Sequence, residues 1–250
     1  MTLQRPPGGA TQPLLRGRGL RKSFGAVSVI QGLDFDVWPG EVLGVLGPNG
    51  AGKTTMFNLV SGDVSLDAGE LSFGGERLKS EPPYLRCRRG IGRTYQIPKP
   101  YGGMTTFENL LVAATFGGGK SERASYEDCA AILEDCGLAD KANHLAGKLT
   151  LLDRKRLELA RAVATAPKLL LLDEIAGGLT DEESQQLVQL VQRIKARQIT
   201  VVWIEHVLNA LMAVADRLLV LNFGEKIAEG EPKSVMQNVD VQRVYMGIEV

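Results

Sequence analysis

The alternation of apolar and polar positions along the chain changes its period many times, and each change predicts a strand or a helix. Short, nearly continuous apolar runs such as residues 41–46 (EVLGVL) are typical of strands that are covered on both faces of a sheet. The predicted strands lie within residues 20–37, with turns at 24–25 and 31–32, and at residues 41–46, 168–173, 199–204, 217–221 and 226–229.

Apolar positions spaced three and four residues apart separate these strands and predict helices. The predicted helices are residues 53–61, 107–115, 126–136, 150–165, 182–197 and 207–214. Because strands alternate with helices, we predict an α/β fold with a mostly parallel central sheet and an antiparallel β edge. Residues 1–13 contain several glycines and prolines and predict a flexible tail, and residues 14–250 predict a single domain.

The strongest chemical signal is the glycine-rich loop between the strand at 41–46 and the helix at 53–61. It matches the pattern G-x-x-x-x-G-K-[ST] and, with the threonine that follows, consists of Gly47, Pro48, Asn49, Gly50, Ala51, Gly52, Lys53, Thr54 and Thr55. In such loops backbone N–H groups and the positive end of the helix surround phosphate oxygens. Lys53 is expected to reach the β- and γ-phosphates of a nucleotide, and Thr54 to bind Mg²⁺. A plain glycine-rich turn is the alternative.

A second signal is the run of leucines at 169–172, which is followed by Asp173 and Glu174. A buried parallel strand delivers such carboxylates to the carboxyl edge of the sheet, where ligands bind in open α/β folds. Asp173 can hold Mg²⁺ through water, and Glu174 can orient or deprotonate an attacking water. Alone the run could be any core strand, but together with the phosphate loop it predicts a nucleoside triphosphatase. The sequence lacks the Asn-Lys-x-Asp motif of guanine recognition, which counts against a GTPase.

Composition and charge limit the classes of partner. Lys+Arg and Asp+Glu are both 29, so the net charge is +0 and no basic excess indicates nucleic acid. No apolar run approaches the ~18–20 residues of a membrane-spanning helix, so any membrane contact is expected to pass through a partner. Cys87, Cys129 and Cys136 are not clustered like metal ligands and suit a reducing cytosol. Arg86, Arg88 and Arg89 predict a solvated basic face, with a contact to acidic groups of a membrane subunit as the alternative.

Further motifs lie before, between and after the phosphate loop and the acidic strand, in a characteristic order. They are Phe24, Gln96 within RTYQ, MTTFENL at 104–110, RKRLELARA at 154–162, His206 after the strand at 199–204, IAEG at 227–230 and YMG at 245–247. In this order they resemble the ATP-binding subunits of ABC transporters, and most of all the subgroup that serves branched-chain amino acid importers. The resemblance covers about residues 20–247.

The resemblance implies a P-loop NTPase fold of ABC type, with a helical subdomain at about residues 97–165 inserted in the α/β core. It also implies ATP and Mg²⁺ as cofactors. The residue matching Phe24 stacks on adenine, the one matching Gln96 touches Mg²⁺ and faces the membrane subunit, and the one matching His206 contacts the γ-phosphate. Glu174, His206 and Gln96 are therefore the expected catalytic residues.

The chain departs from the family at the signature segment. Where the family has Leu-Ser-Gly-Gly-Gln, this sequence has Leu149, Thr150, Leu151, Leu152 and Asp153. In the family this segment caps the γ-phosphate of ATP held by the opposite subunit. Thr150 keeps a hydroxyl and is expected to contact nucleotide, whereas the leucines replace glycines. Thr150 and Asp153 also fit a helix capping box, in which Asp153 would accept from the N-cap N–H, and the two interpretations are compatible.

Two smaller differences follow the acidic strand. Ile175 stands where the family commonly has proline, and Thr180 replaces the usual acidic or amide residue of the D-loop. With the altered signature they suggest a heterodimer, in which this chain and a different ATPase subunit form one sound and one weakened composite site. A homodimer remains the alternative.

The implied function is ATP hydrolysis that powers an ABC transporter from the inner, cytoplasmic face of the cell membrane. The implied partners are transmembrane permease subunits, a second ATPase subunit and, indirectly, a solute-binding protein, with no nucleic acid. Branched-chain amino acids or related small polar solutes are the implied cargo; urea, other amides, other amino acids and lipid-linked export stay open. Two alternatives are a soluble ABC ATPase and a small-molecule kinase. A soluble ABC ATPase usually carries two ATPase units or a coiled-coil insert, and a kinase would not need an equivalent of His206.

Overall fold

The computed structural model describes residues 11–246, with side chains through residue 244. Residues 1–10 of the predicted tail therefore lie outside the described residues, as do the side chains of Tyr245 and Met246 and the whole of Gly247. No helix in the described range is both long and apolar enough to cross a membrane.

Two sheets contain all the predicted strands, together with some that the sequence analysis did not predict. The strands of the described residues are β1 (Leu15–Phe24), β2 (Val27–Val37), β3 (Val42–Leu46), β4 (Ala68–Phe73), β5 (Glu76–Arg77), β6 (Ile91–Arg93), β7 (Leu169–Asp173), β8 (Thr200–Ile204), β9 (Arg217–Asn222) and β10 (Glu225–Gly230). The sequence analysis did not predict β4, β5, β6 and the first residues of β1. One sheet is antiparallel in the order β2-β1-β4-β5. The other has the order β10-β9-β3-β8-β7-β6 and is parallel apart from the β10–β9 edge. The predicted parallel sheet with an antiparallel edge is confirmed.

Helices cover the sheets and lie between the strands. Those of the described residues are α1 (Lys53–Ser61), α2 (Pro83–Arg88), α3 (Thr106–Val112), α4 (Glu122–Asp135), α5 (Leu151–Ala164), α6 (Asp181–Ala196), α7 (Leu208–Met212), α8 (Pro232–Met236) and α9 (Val239–Met246). A π-helical turn, Ala113–Gly117, extends α3. Every predicted helix is present within a few residues, whereas α2, α8 and α9 are too short to produce a clear period.

One predicted turn is wrong, because Gln31 and Gly32 lie inside β2. Pairing with β1 passes from Leu20–Leu33 to Arg21–Gln31, so Gly32 is an extra residue on β2. Its φ of 84° is a left-handed conformation that glycine adopts easily. The glycine therefore marks a β-bulge rather than a chain reversal.

The apolar runs are continuous because the central strands are buried on both faces. On β7, Leu170 and Leu172 pack into the core on the side of α5 and α6, and Leu169 and Leu171 pack into the core that contains α1 and the antiparallel sheet. Side chains alternate along a strand, so two covered faces require apolar residues throughout. Since β3, β7 and β8 are parallel neighbours, the segments that follow them meet at one edge of the sheet.

The predicted solvated arginine face is wrong for Arg86. This side chain is only 4% exposed, pairs with Glu81 at 3.2 Å, and donates to the carbonyl oxygens of Val60 (2.9 Å) and Lys79 (2.7 Å). Several carbonyl oxygens and a carboxylate compensate the buried charge. Arg88 and Arg89 remain exposed.

Glu41, immediately before β3, gives the protein an expected pH dependence. Its buried carboxylate accepts hydrogen bonds from Trp38 N (2.6 Å) and Arg217 Nη1 (2.9 and 3.0 Å). Burial raises its pKa to about 7 despite the opposing effect of Arg217. A carboxyl whose pKa is raised by folding stabilises the fold at low pH, and this contribution is lost as the pH rises through about 7.

We therefore expect the unfolding free energy of the wild type, relative to Glu41→Gln, to fall by about 2 to 3 kcal/mol between pH 5 and pH 8. Urea unfolding of both proteins across this range measures the difference. A difference that does not change with pH would contradict the prediction.

Candidate functional site

The loop between β3 and α1 has the shape of a phosphate cradle. A Cβ added at Gly47 would lie 2.3 Å from Leu221 O, and one added at Gly52 would lie 2.8 Å from Val29 O, so neither position admits a side chain. Gly52, with φ of 97°, occupies the N-cap of α1 and offers no side-chain cap. The first N–H groups of α1 therefore receive no hydrogen-bond acceptor from the side chain of the N-cap residue.

Lys53 lies inside the loop and is 5% exposed. Its Nζ donates to Gly47 O (2.7 Å) and Pro48 O (3.0 Å). Burial lowers the pKa of this ammonium, and the negative charges of Glu174 and Asp173 raise it. The other predicted loop residues follow the same turn: Gly47, Ala51 and Gly52 are buried, Pro48 and Thr55 are half-buried, and Asn49, Gly50 and Thr54 are exposed.

Asp173, the last residue of β7, and Glu174, which follows it, have different surroundings. Asp173 is 5% exposed, and burial raises its pKa while the neighbouring Arg93 lowers it. Glu174 has a φ of 48°, an unusual conformation for a residue other than glycine, and its N–H donates to Ile204 O at 2.9 Å. Backbone strain of this kind is often found at functional sites.

Three predicted catalytic residues meet at the Glu174 carboxylate. Gln96 Nε2 donates to Glu174 Oε2 at 2.6 Å, and His206 Nε2 lies 2.6 Å from Glu174 Oε1. The His206 side chain is 41% exposed and that of Glu174 16%, so the cluster opens to solvent on the histidine side. Residues from three separate segments are thus brought together at the carboxyl edge of the parallel sheet.

Two predicted nucleotide-binding residues lie outside this cluster. Phe24 ends β1 with 48% of its surface exposed, and Lys22 Nζ lies 5.4 Å from the ring centroid. Thr150 is the N-cap of α5. Its hydroxyl accepts from Asp153 N (3.2 Å) and donates to Asp153 Oδ2 (2.8 Å), so these bonds are made within its own helix.

The predicted capping box at α5 is only half correct. The Asp153 carboxylate accepts from the Thr150 hydroxyl and from Lys141 Nζ at 2.7 Å, where the prediction placed the Thr150 N–H. A reciprocal bond is formed at α6, where Glu183 accepts from Thr180 N at 2.8 Å. Aspartate is one methylene shorter than glutamate, and Lys141 draws its carboxylate away. Thr180 thus caps α6, a structural role for that D-loop residue.

Glu205 is a site residue that the sequence analysis missed. It is 1% exposed and accepts from Ala176 N (2.6 Å), Trp203 Nε1 (3.3 Å) and His206 N (3.2 Å). Burial raises its pKa, and the backbone donors lower it. Its carboxylate fixes the segment after Glu174 against the backbone of His206. The sequence could have indicated Glu205, because a charged residue at the end of a buried strand is the same pattern that predicted Asp173.

Arg93 is the second residue that was missed. Its Nη2 lies 3.0 Å from Asp173 Oδ2: β6 pairs in parallel with β7 with Arg93 opposite Leu171, and the side chain reaches Asp173 two residues farther along β7. The side chain is 7% exposed. Its position within RTYQ, three residues before Gln96, was the available signal.

Known proteins match the chain over nearly its whole length. Residues 30–177, more than half of the chain, match the family described as ABC transporter. The chain is 35% identical to the high-affinity branched-chain amino acid transport ATP-binding protein BraF of Pseudomonas aeruginosa, with 95% of this chain and 99% of that protein covered. It is 34% identical to LivG of Escherichia coli, a protein of the same description, with the same coverage. It is 31% identical to the lipopolysaccharide export system ATP-binding protein LptB of Haemophilus influenzae, covering 94% and 97%.

Solved structures agree with these relatives. The ADP conformation of an ATP-binding cassette of an ABC transporter matches with a TM-score of 0.86 and 30% identity, covering 95% of this chain and 100% of that one. A nucleotide-free cassette matches with the same TM-score, identity and coverage. The predicted fold class is therefore confirmed. The chain belongs to the ABC transporter family, as an ATP-binding and ATP-hydrolysing subunit.

Proposed function

We propose that the chain binds ATP with Mg²⁺ at the phosphate loop, hydrolyses it at Glu174, and thereby powers import of branched-chain amino acids or related small polar solutes. The observation that carries the proposal is the convergence of Gln96 and His206 on Glu174, at the sheet edge where Asp173 and the phosphate loop also lie. The fold division into one domain at 14–250 with a helical subdomain at 97–165 is part of this proposal.

The donor set fits a nucleotide that brings its own cation. Among the described residues, no group of three or more His, Cys, Asp and Glu side chains could hold a metal ion alone. Mg²⁺ usually takes one or two protein ligands and completes its shell with phosphate oxygens and water. Thr54, Asp173 and Gln96 are the residues that would hold it, and the ion would neutralise charge that develops on the phosphates.

Each residue of the chain has a distinct role in the proposal. Lys53 exchanges its carbonyl partners for phosphate oxygens, which form stronger, charge-assisted bonds. Glu174 orients the attacking water and accepts its proton, while Gln96 and His206 hold the carboxylate in place. His206 and Thr150 would add contacts to the γ-phosphate, and Phe24 would stack on adenine.

A cleft beside Gln96 supports docking of a permease subunit at the inner face of the membrane. It has a volume of about 260 Å³ and is lined in part by Tyr84, Cys87, Tyr95, Glu158 and Arg161. Tyr84 and Tyr95 are 61% and 47% exposed. Aromatic side chains and arginine are enriched at protein interfaces. A solute-binding protein would act through the permease.

The signature segment supports a second, different ATPase subunit. Leu151 is 49% exposed and lies against Gly178 of the D-loop, where an added Cβ would stand 3.7 Å from Leu151 Cδ2. Side chains at 151 and 152 keep a phosphate farther from the backbone than glycines would. A site closed by this segment would be weak, so we propose that the partner supplies the stronger signature.

Uptake measurements test the cargo. Deletion of the gene for this chain is expected to reduce uptake of labelled leucine, isoleucine and valine to the background, because ATP no longer drives the permease. The wild-type gene should restore uptake, and a Lys53→Ala gene should not. Unchanged amino acid uptake together with a defect in lipopolysaccharide export would favour the second candidate function, which the similarity to LptB supports.

A further inference from the structure

Arg93 is held from several directions in the immediate neighbourhood of Asp173. Its guanidinium carbon lies 5.0 Å from the ring centroid of Tyr95 and 5.8 Å from that of Phe57, and only 7% of the side chain is exposed. Tyr95 is the residue before Gln96. The arginine therefore connects the glutamine loop, α1 and the end of β7.

The two ends of the guanidinium have different partners. Nη1 donates to Asn58 Oδ1 (2.7 Å), Ser61 Oγ (2.9 Å) and Asp63 Oδ2 (3.1 Å). Nη2 donates to Asp173 Oδ2 (3.0 Å). One cation thus lies between two carboxylates, and most of its hydrogen bonds would survive if the bond to Asp173 were released.

A buried carboxylate requires a counter-ion. Arg93 provides one for Asp173 in the absence of a metal, and Mg²⁺ would provide a stronger one. Two cations that share one carboxylate repel each other. Binding of one therefore lowers the affinity of the carboxylate for the other, and this coupling is reciprocal.

We propose that Arg93 is a positioning residue that holds the Asp173 carboxylate until Mg²⁺ replaces it, and that Asp63 retains the arginine afterwards. This inference rests on the proposed function of the site. It predicts that the charge at position 93 sets the Mg²⁺ concentration at which nucleotide binds.

Binding of a fluorescent ATP analogue, titrated with Mg²⁺ on the full chain, tests the inference. In Arg93→Gln the half-saturating Mg²⁺ concentration is expected to fall about five- to tenfold, because the competing cation is gone. Arg93→Lys keeps the charge and should remain close to wild type. The melting temperature of Arg93→Gln should fall without ligand and recover in part with Mg-ADP.

Two further variants separate this role from a structural one. Arg86→Gln removes an equally buried arginine that pairs with Glu81; it should lower the melting temperature and leave the Mg²⁺ requirement unchanged. Asp63→Asn removes the carboxylate that competes with Asp173 for Arg93, so it should raise the Mg²⁺ requirement, and it keeps the test available if Arg93→Gln does not fold.

The outcomes are distinct. A wild type that binds the analogue equally well with and without Mg²⁺ contradicts the proposed function itself. With Mg²⁺-dependent wild-type binding, an unchanged or raised requirement in Arg93→Gln, or an unchanged or lowered one in Asp63→Asn, overturns the role of Arg93.

Discussion

Lys53→Ala is expected to abolish ATP hydrolysis and to weaken ATP binding by about a hundredfold or more. The ammonium is the cation placed inside the phosphate loop, where it already donates to Gly47 O and Pro48 O. Hydrogen bonds to charged groups contribute about 1.5–3 kcal/mol each, so the loss of contacts to two phosphates accounts for an effect of this size. Isothermal titration with Mg-ATP and a phosphate-release assay measure it.

The same variant should fold normally, which separates a binding defect from misfolding. Burial disfavours the charged form of Lys53, which the loop carbonyl oxygens and nearby carboxylates compensate when no ligand is bound. We therefore expect little change in melting temperature without ligand and loss of the rise that Mg-ATP causes in the wild type. Lys120→Ala, which removes an exposed lysine paired with Asp128, is the control for loss of positive charge. If the affinity of Lys53→Ala for ATP lies within threefold of the wild-type affinity, a difference of about 0.7 kcal/mol, the role of Lys53 in phosphate binding is contradicted.

The parts of the site that the sequence predicts are those encoded by a few consecutive residues. The phosphate loop and the leucine strand each place their chemistry in a few consecutive residues, because a buried strand and the turn after it are specified by neighbouring side chains. The helix Lys53–Ser61 was therefore predicted with the observed bounds. The bulge at Gly32 was mistaken for a turn because glycine permits both.

Contacts between distant segments were not predictable in this way. Arg93 and Asp173 are 80 positions apart and meet only because β6 lies beside β7. Arg86 looks like a surface residue until α2 packs it against Glu81 and the carbonyl groups near the end of α1. The contact of Asp153 was also not predictable: its side chain is too short to complete the capping box, and it pairs with Lys141 instead. Each outcome depends on tertiary packing that overrides local preference.

Glu174→Gln is expected to retain ATP binding and to slow hydrolysis by about 10²- to 10⁴-fold, the usual contribution of a general base. Glutamine preserves the shape of the side chain, and Asp173 remains available to Mg²⁺, but the amide cannot accept the proton of the attacking water. Single-turnover hydrolysis and nucleotide titration measure the two effects. Glu182→Gln makes the same change on the exposed surface of α6 and should hydrolyse ATP normally. Normal turnover in Glu174→Gln would refute the role of Glu174.

Sedimentation of Glu174→Gln with Mg-ATP also decides which partner the chain requires. Stalled hydrolysis should preserve any dimer that ATP closes, and the substituted signature leads us to expect a monomer that binds ATP without self-association. Adding Leu151→Gly, Leu152→Gly and Asp153→Gln to this variant should then produce an ATP-dependent homodimer, because the phosphate can approach the start of α5. The glycines cost about 1 kcal/mol each in the helix, so the melting temperature must be checked. A stable homodimer of Glu174→Gln with its natural signature would instead show that Thr150 and its neighbours close a working site, and the need for a different subunit would disappear.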